Sequence, residues 1–557
     1  MSPTAAAAAA FALVSLRLPL VNRAGRRSST SVLDTKSGPR PSWSRRDRPA
    51  PERSEPAGPA DQGRGAGPGG VFGLETEYGL AAGGISAEQA ARDLFQPVVA
   101  WGRSTSVFTP AGARLYLDVG SHPEYATAEC STLAELLAAE RAGDRLMAAL
   151  AEAASGRTGH RVAVIKNNTD SAGHAYGSHE NYQVARAGSA ELATKLIPFL
   201  VTRQIVAGAG KVQVDPQGAR YLLSQRAWHV AEALSSATTR SRPIINSRDE
   251  PHADGERFRR LHVVVGDSNL SAAASAFKFG STRLVLRALQ QGATLPDLEL
   301  DNPVHAVREV ASGWRTAHPI RLATGRTVKP AQVQWCFLEA AESAAESGED
   351  RAVLDLWERA LTAWDRLDFD GLETELDWLA KLRLIERYQE RGGAWLADPK
   401  VLRLELAYHQ LGPGGLRPKL EAGGNLAVGI GRMDGIGRTG GAGGTDGTGR
   451  TDGTGWTDGG RADGIGPVGA GRAVTEPPAT TRAHLRGRFV AAARAAGREY
   501  TVDWVRLKLG RRRAVTLLDP LEAADPAAEA LIGELEALPA AGAPGEFDAI
   551  LDQAGSQ

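Results

Sequence analysis

Cysteine is almost absent from this 557-residue chain, which carries only Cys130 and Cys336. Two thiols cannot build a disulfide framework or a four-cysteine metal site, so the chain reads as a reduced, intracellular protein. Net charge is lacking as well. Lys plus Arg and Asp plus Glu total 65 each, so there is no bulk pull toward nucleic acid or a membrane surface, and any anion site must be local. No apolar run approaches the roughly 18 residues that cross a bilayer. Ala5 to Leu20 imitates the apolar part of a signal peptide, but no basic residue precedes it and Arg17 interrupts it, so no leader is expected. No G-x-G-x-x-G joins a strand to a helix and no Walker A motif appears, which argues against Rossmann and P-loop cores.

What is present is unevenly distributed. Residues 1–70 are rich in Ala, Arg, Ser, Pro and Gly without a sustained period, and are expected to form a disordered extension. Residues 412–476 hold much of the glycine and repeat T-D-G-T-G at Thr445–Gly449 and Thr451–Gly455. They read as a flexible insertion. Calcium-binding glycine–aspartate repeats would need a nine-residue period with apolar punctuation, which is missing. This leaves a body at 71–411, a small C-terminal domain at 477–540 and a tail at 541–557. Apolar spacing predicts helices over Ser131–Ala154, Ala331–Ser347 and Arg351–Arg366. Strands are expected at Arg161–Lys166, Tyr182–Ala185 and Arg260–Val265. The irregular alternation and the 42% hydrophobic content fit an α+β protein with a large, mostly antiparallel sheet.

Two segments carry polar rows on strand-like spacing. In Val71–Leu80, Glu75 and Glu77 share a face opposite Leu74 and Thr76. In Gly112–Cys130, Arg114, Tyr116 and Asp118 are expected on one face and Leu115, Leu117 and Val119 on the other. Glu124 and Glu129 follow. Carboxylates on one face repel unless a cation sits between them, and Mg²⁺ prefers oxygen ligands shared with substrate phosphates. Arg114 suits phosphate oxygens, and Asp118 suits either a metal or a base. The loop Lys166–Val184 gathers Asn168, Asp170, His174, His179, Glu180 and Asn181, while Ser235–Asp254 carries Arg240, Arg242 and Arg248 and reads as an anion-binding loop. Trp504 lies in the apolar segment Glu499–Leu509 and fits either a core or a ligand contact. There is no nucleophilic Ser or Cys constellation, so metal-assisted phosphoryl transfer from ATP is the leading class.

The motifs GLETEYGL, AGARLYLDVGSHPEYATAEC, KNNTDSAG, HENY, LSQRA, SSATTRSRPIIN, RDEPHAD and TVDWV, in that order, resemble the Pup ligase/deamidase family, and within it the Pup–protein ligases of actinobacteria. The similarity runs from Val71 to Pro520 and skips the Gly-rich insertion. It implies a glutamine-synthetase-like fold: a curved antiparallel sheet packed with helices that cradles ATP and Mg²⁺, plus a small C-terminal domain. By matching position, Glu75, Tyr116 and Glu124 correspond to metal-binding residues. Arg114, Thr127 and Trp504 correspond to ATP-binding residues, and Asp118 to the proton acceptor. The implied partners are Pup and lysine-bearing target proteins, with no nucleic acid or membrane, in the cytoplasm. The implied reaction phosphorylates the γ-carboxylate of the C-terminal glutamate of Pup. A target lysine then displaces phosphate, marking the target for proteasomal degradation. The nearest rival is a Pup deamidase/depupylase on the same fold, which carries an extra loop soon after the first motif. A non-catalytic nucleotide-binding scaffold, the other rival, is expected to lose one of Glu75, Asp118 or Glu124, and all three are present.

Overall fold

The computed structural model describes residues 70–426 and 469–556, apart from 119, 171–172, 238–241, 315–317, 394, 423, 425, 512 and 542. The expected N-terminal extension, Arg240 and the T-D-G-T-G repeats lie outside the described residues.

Period-two patterning builds the central element. Phe72–Glu77 (β1) alternates buried Phe72, Leu74 and Thr76 with half-exposed Gly73, Glu75 and Glu77. Seven more strands complete its sheet: Ser106–Phe108 (β2), Arg114–Leu117 (β3), Pro123–Ala126 (β4), Ser178–Ala185 (β5), Glu232–Ser235 (β6), Pro243–Asn246 (β7) and Phe258–Val263 (β8). The strand order is β6-β7-β8-β5-β1-β4-β3-β2. Every pairing is antiparallel except the parallel β6–β7 pair at one edge.

One face of the sheet is covered. Phe72, Leu74, Tyr182 and Val184 pack with Leu196 and Phe199 of helix α2 (Ser189–Thr202) and Phe277 and Phe279 of helix α3 (Ala272–Gln290). A second core joins Leu115 and Tyr125 to Leu146 and Leu150 of helix α1 (Leu133–Thr158). Helix α1 begins at a capping box between Thr132 and Glu135 and stops at Gly159 in the left-handed region. Charged residues inside this layer are paired. Lys166 Nζ donates to Glu140 (2.8 Å) and Asp144 (3.0 Å), and Arg417 donates to Asp144 (2.7 Å).

The C-terminal domain has its own small core. Helix α4 (Ala483–Ala495), the meander Tyr500–Val502 (β9), Arg506–Leu509 (β10) and Arg513–Thr516 (β11), and helix α5 (Pro526–Glu536) bury Phe489, Leu507, Leu531 and Leu535 together.

Two boundaries read from composition move. The insertion expected from 412 opens with a helix at Arg417–Ala422, and Leu420 and Leu426 are buried in the second core. The expected tail contains helix α6 (Glu546–Ser556), which puts Phe547, Ile550 and Leu551 into that core. Its Asp548 accepts a 2.8 Å hydrogen bond from Trp101 Nε1. In both places scattered apolar side chains find a partner that local composition does not reveal.

Candidate active site

The uncovered face of the sheet carries the polar rows, and register aligns them across strands. Tyr116 pairs with Glu124, and Glu124 with Glu77. In the adjacent row Phe108 pairs with Arg114, Arg114 with Ala126, Ala126 with Glu75, and Glu75 with His179. Directly opposed residues point to the same face, so side chains distant in sequence meet in two groups. Glu77, Asp118 and Glu124 bring carboxylate oxygens within 4.8 Å of one another, and Glu75, His179 and His262 do the same with their ligand atoms.

Asp118 reaches the first group from just beyond the end of β3. The β3 strand ends at Leu117, and Asp118 begins a tight turn in which its carbonyl accepts from Ser121 N (2.9 Å). It is exposed, and its amide donates to the His122 carbonyl (3.0 Å), which continues the pairing with β4 and keeps its carboxylate on the face of Tyr116, near Glu77 and Glu124. Glu75 sits with two imidazoles, close enough to Glu124 to raise the latter's carboxyl. His179 Nδ1 lies 3.3 Å from Glu75, Asn181 Nδ2 donates at 3.1 Å, and Arg260 lies at 3.5 Å.

The electrostatics of the groups diverge. Burial pushes the Glu124 carboxyl up, and the charges of Glu77, Glu75 and Asp118 push further, to about 9, against the opposing hydrogen bond from Tyr116. Burial also raises Glu75, but its hydrogen bond to His179 and the positive groups around it, Arg260 among them, prevail and hold it well below the usual carboxylate range. Glu77 is likewise held down against burial by His122, at 2.5 Å, and by the Gly177 amide. Burial lowers His262 to about 3, keeping it neutral, and its Nε2 is buried with no hydrogen-bond partner among the described residues.

The donor sets fit divalent cations. Three carboxylates within 4.8 Å offer the all-oxygen environment of Mg²⁺, and a carboxyl pushed to about 9 by burial and by its neighbours' charges is what a cation there would relieve. Neutral His262, with a carboxylate and a second imidazole, makes the other group competent for a divalent ion. Tyr116 is held as a neutral phenol in this arrangement. Burial drives its phenol far up, and Glu75 and Glu124 add to the shift. It hydrogen-bonds Glu124 while the Arg114 guanidinium covers its ring at 4.4 Å.

The remaining expected residues are spread around these groups. Arg114 Nε donates to Ser106 Oγ at 3.0 Å. Thr127 is 4% exposed and its hydroxyl accepts from the Leu74 amide (3.1 Å), so its hydrogen bond is spent on the backbone of β1. Trp504 occupies the turn between β9 and β10 and meets Phe108 edge-on at 5.0 Å. Of the polar residues singled out in the segment 166–184, His179 and Asn181 face the open side. Glu180 is fully buried against Arg203, and Asn168 is spent on Tyr176 and Ser268. In the arginine-rich loop Arg248 pairs with Glu250, which also lies 3.3 Å from Arg260.

The family model of the Pup-ligase protein matches residues 70–432. The chain belongs to the Pup-ligase family. Similar to it is the Pup–protein ligase of Xylanimonas cellulosilytica, 45% identical over 484 residues, covering 83% of this chain and 98% of that protein. That of Saccharomonospora viridis is 45% identical over 483 residues, covering 84% and 99%. Two solved structures also match. The complex of the prokaryotic ubiquitin-like protein Pup with its ligase PafA has a TM-score of 0.73 at 37% identity, covering 84% of this chain and 92% of that one. The Pup ligase PafA in complex with ADP has a TM-score of 0.67 at 39% identity, covering 81% and 94%. The described part of this Pup-ligase family member thus has that fold over both the sheet and the C-terminal domain. His262 is the site residue that sequence reasoning left out. Its signal is the parity of β8, where His262 pairs with Asn181 on the face opposite Leu261 and Val263.

Proposed function

We propose that this chain is an ATP- and Mg²⁺-dependent ligase that joins the C-terminal glutamate of Pup to lysine side chains of target proteins. The observation that carries the reading is the convergence of Glu77, Asp118 and Glu124 beside Arg114 and Tyr116 on one open sheet face. Near-complete coverage of two Pup–protein ligases supports it. Glu75, Glu77 and Glu124 would hold Mg²⁺, which when bound supplies charge neutralisation for the transferring phosphoryl group. Arg114 would hold phosphate oxygens, Trp504 and Thr127 would contact the nucleotide, and Asp118 would take the proton of the attacking lysine. Tyr116 would act through its hydrogen bond to Glu124. A cytoplasmic setting fits the two free cysteines. Among the described residues no helix is long and apolar enough to cross a membrane.

The test is direct. Incubation with ATP, Mg²⁺, Pup ending in glutamate and a lysine-bearing protein should produce a new conjugate band. Loss of a preformed conjugate without new ligation would instead make the chain a depupylase, and neither change would make it a scaffold. Chelation by EDTA should reduce conjugation to background, and added Mg²⁺ should restore it. Tyr116→Phe removes an outer partner of a metal-holding carboxylate. It should raise the Mg²⁺ concentration for half-maximal rate by about 10–100-fold, read from an Mg²⁺ titration of conjugate formation. An unchanged midpoint would remove Tyr116 from the metal site.

A further inference from the structure

Glu129 belongs to the motif around Asp118 yet takes no part in either candidate metal group. It accepts from Arg482 Nε at 2.9 Å and Arg486 Nη1 at 3.1 Å, and Arg486 Nη2 closes a second contact. Burial pushes its carboxyl up, but the charges of Arg486 and Arg482 prevail and hold it at about 2. Both guanidiniums are buried, at 2% and 1% exposure, and a buried guanidinium has five N–H donors to satisfy.

The acceptors they find come from segments far apart in the chain. Arg486 Nε and Nη2 donate to the Gly112 carbonyl at 3.0 and 2.9 Å, and Nη1 to the Trp504 carbonyl at 3.1 Å. Its Cζ lies 4.9 Å from the Trp504 ring centre and 5.3 Å from that of Phe108. Arg482 donates to the carbonyls of Leu517 (2.8 Å) and His252 (2.6 Å). Gly112, at φ 70°, lets its backbone approach helix α4 so closely that a Cβ would meet the Ala483 carbonyl at 2.9 Å.

One carboxylate therefore orients two arginines. Through Arg486 these tie Trp504, on the C-terminal domain, to the backbone two residues before Arg114 on β3. We propose that Glu129 and Arg486 are positioning residues that set ATP affinity by holding Trp504 in register with Arg114. This rests on the assignment of Trp504 and Arg114 to the nucleotide. Nucleotide binding to a fixed pair of contacts avoids the ordering cost that a mobile pair would add. Neither residue reaches the carboxylate groups where the chemistry is assigned, so the affinity and not the turnover should respond.

The experiment compares the full-length wild type with Glu129→Gln, Glu129→Asp, Arg486→Lys, Trp504→Ala and the double variant Trp504→Ala/Glu129→Gln. Steady-state conjugation is measured, together with ADP binding by calorimetry and a circular dichroism check of folding. E129Q and R486K should raise KM for ATP about ten-fold with kcat little changed. E129D, which keeps the charge, should recover part of the loss. Lysine keeps a charge but cannot bridge three carbonyl and carboxylate partners as guanidinium does. The double variant should bind ADP no more weakly than W504A alone, because Glu129 acts through Trp504. Additive losses, or a fall in kcat at constant KM, would overturn the proposal. W504A weakened with E129Q unchanged would sink the positioning role alone. W504A with unaltered ADP binding would sink the Trp504 assignment and the inference with it. If E129Q does not fold, E129D and R486K carry the same comparison.

Discussion

Asp118→Ala is expected to slow Pup conjugation by about 10²–10⁴-fold, the usual contribution of a positioned general base, while ADP binding changes little. The reason lies in the nucleophile. A free lysine amine has a pKa near 10.4, so freeing its electron pair at pH 7 costs about 4–5 kcal/mol. A carboxylate in reach of the amine removes that cost as attack proceeds. Asp118 is the exposed member of the three-carboxylate group, set on a turn at the end of β3, where an incoming lysine has access. Glu124, by contrast, is 8% exposed. The same geometry allows Asp118 to be a metal ligand, and the variant separates the two roles. A base leaves the Mg²⁺ titration of ADP binding where it was; a ligand shifts it. Single-turnover conjugation and calorimetry at several Mg²⁺ concentrations give the answer, and conjugation at the wild-type rate would end the assignment of Asp118 as base.

The open face was legible in the sequence to the extent that it follows from local alternation. Glu75 and Glu77 opposite Leu74, and Arg114 and Tyr116 opposite Leu115, fall where a period of two puts them. The long helix around Leu133–Leu150 follows in the same way from apolar spacing. Register across strands does not. Nothing in the text near Glu77 says that it will face Glu124, or that Glu75 will lie between His179 and His262, because these meetings depend on strand order in an eight-stranded sheet. Asp118 keeps the parity of Arg114 and Tyr116, but it lies one residue past β3, where the chain turns through Ser121 at φ 60°, and its exposure is not readable from alternation alone. The C-terminal helix has a readable apolar spacing. Phe547, Ile550, Leu551 and Ala554 have helical spacing, but a short polar segment at a chain end resembles a tail until the groove it fills is known. In the Gly-rich region, Leu420 and Leu426 were masked by the glycines around them.

Arg203→Met is expected to destabilise the protein by about 3–5 kcal/mol, the range for a buried pair that loses one partner. Glu180 is fully buried on β5, and Arg203 holds both its oxygens, at 2.6 and 2.8 Å. Tyr182 donates to Glu180 as well (2.6 Å), and Arg203 also reaches the Lys278 carbonyl (3.1 Å). Removing the guanidinium leaves a carboxylate in the core with one phenol to satisfy it, and water cannot replace the lost charge there. Urea unfolding should show the loss as a lower midpoint at similar slope. Arg203→Met combined with Glu180→Leu should recover much of it, because the orphaned charge is then gone. A loss below about 1 kcal/mol in the single variant would mean that Glu180 does not need its partner. The consequence reaches the other side of the sheet. His179 and Asn181 flank Glu180 on β5 and point to the open face beside Glu75. A one-residue slip of β5 would carry both histidine and amide into the core and bring Glu180 out. The buried pair thus favours the register that keeps His179 and Asn181 beside Glu75, so Arg203→Met should weaken nucleotide binding at denaturant concentrations well below those that unfold the chain.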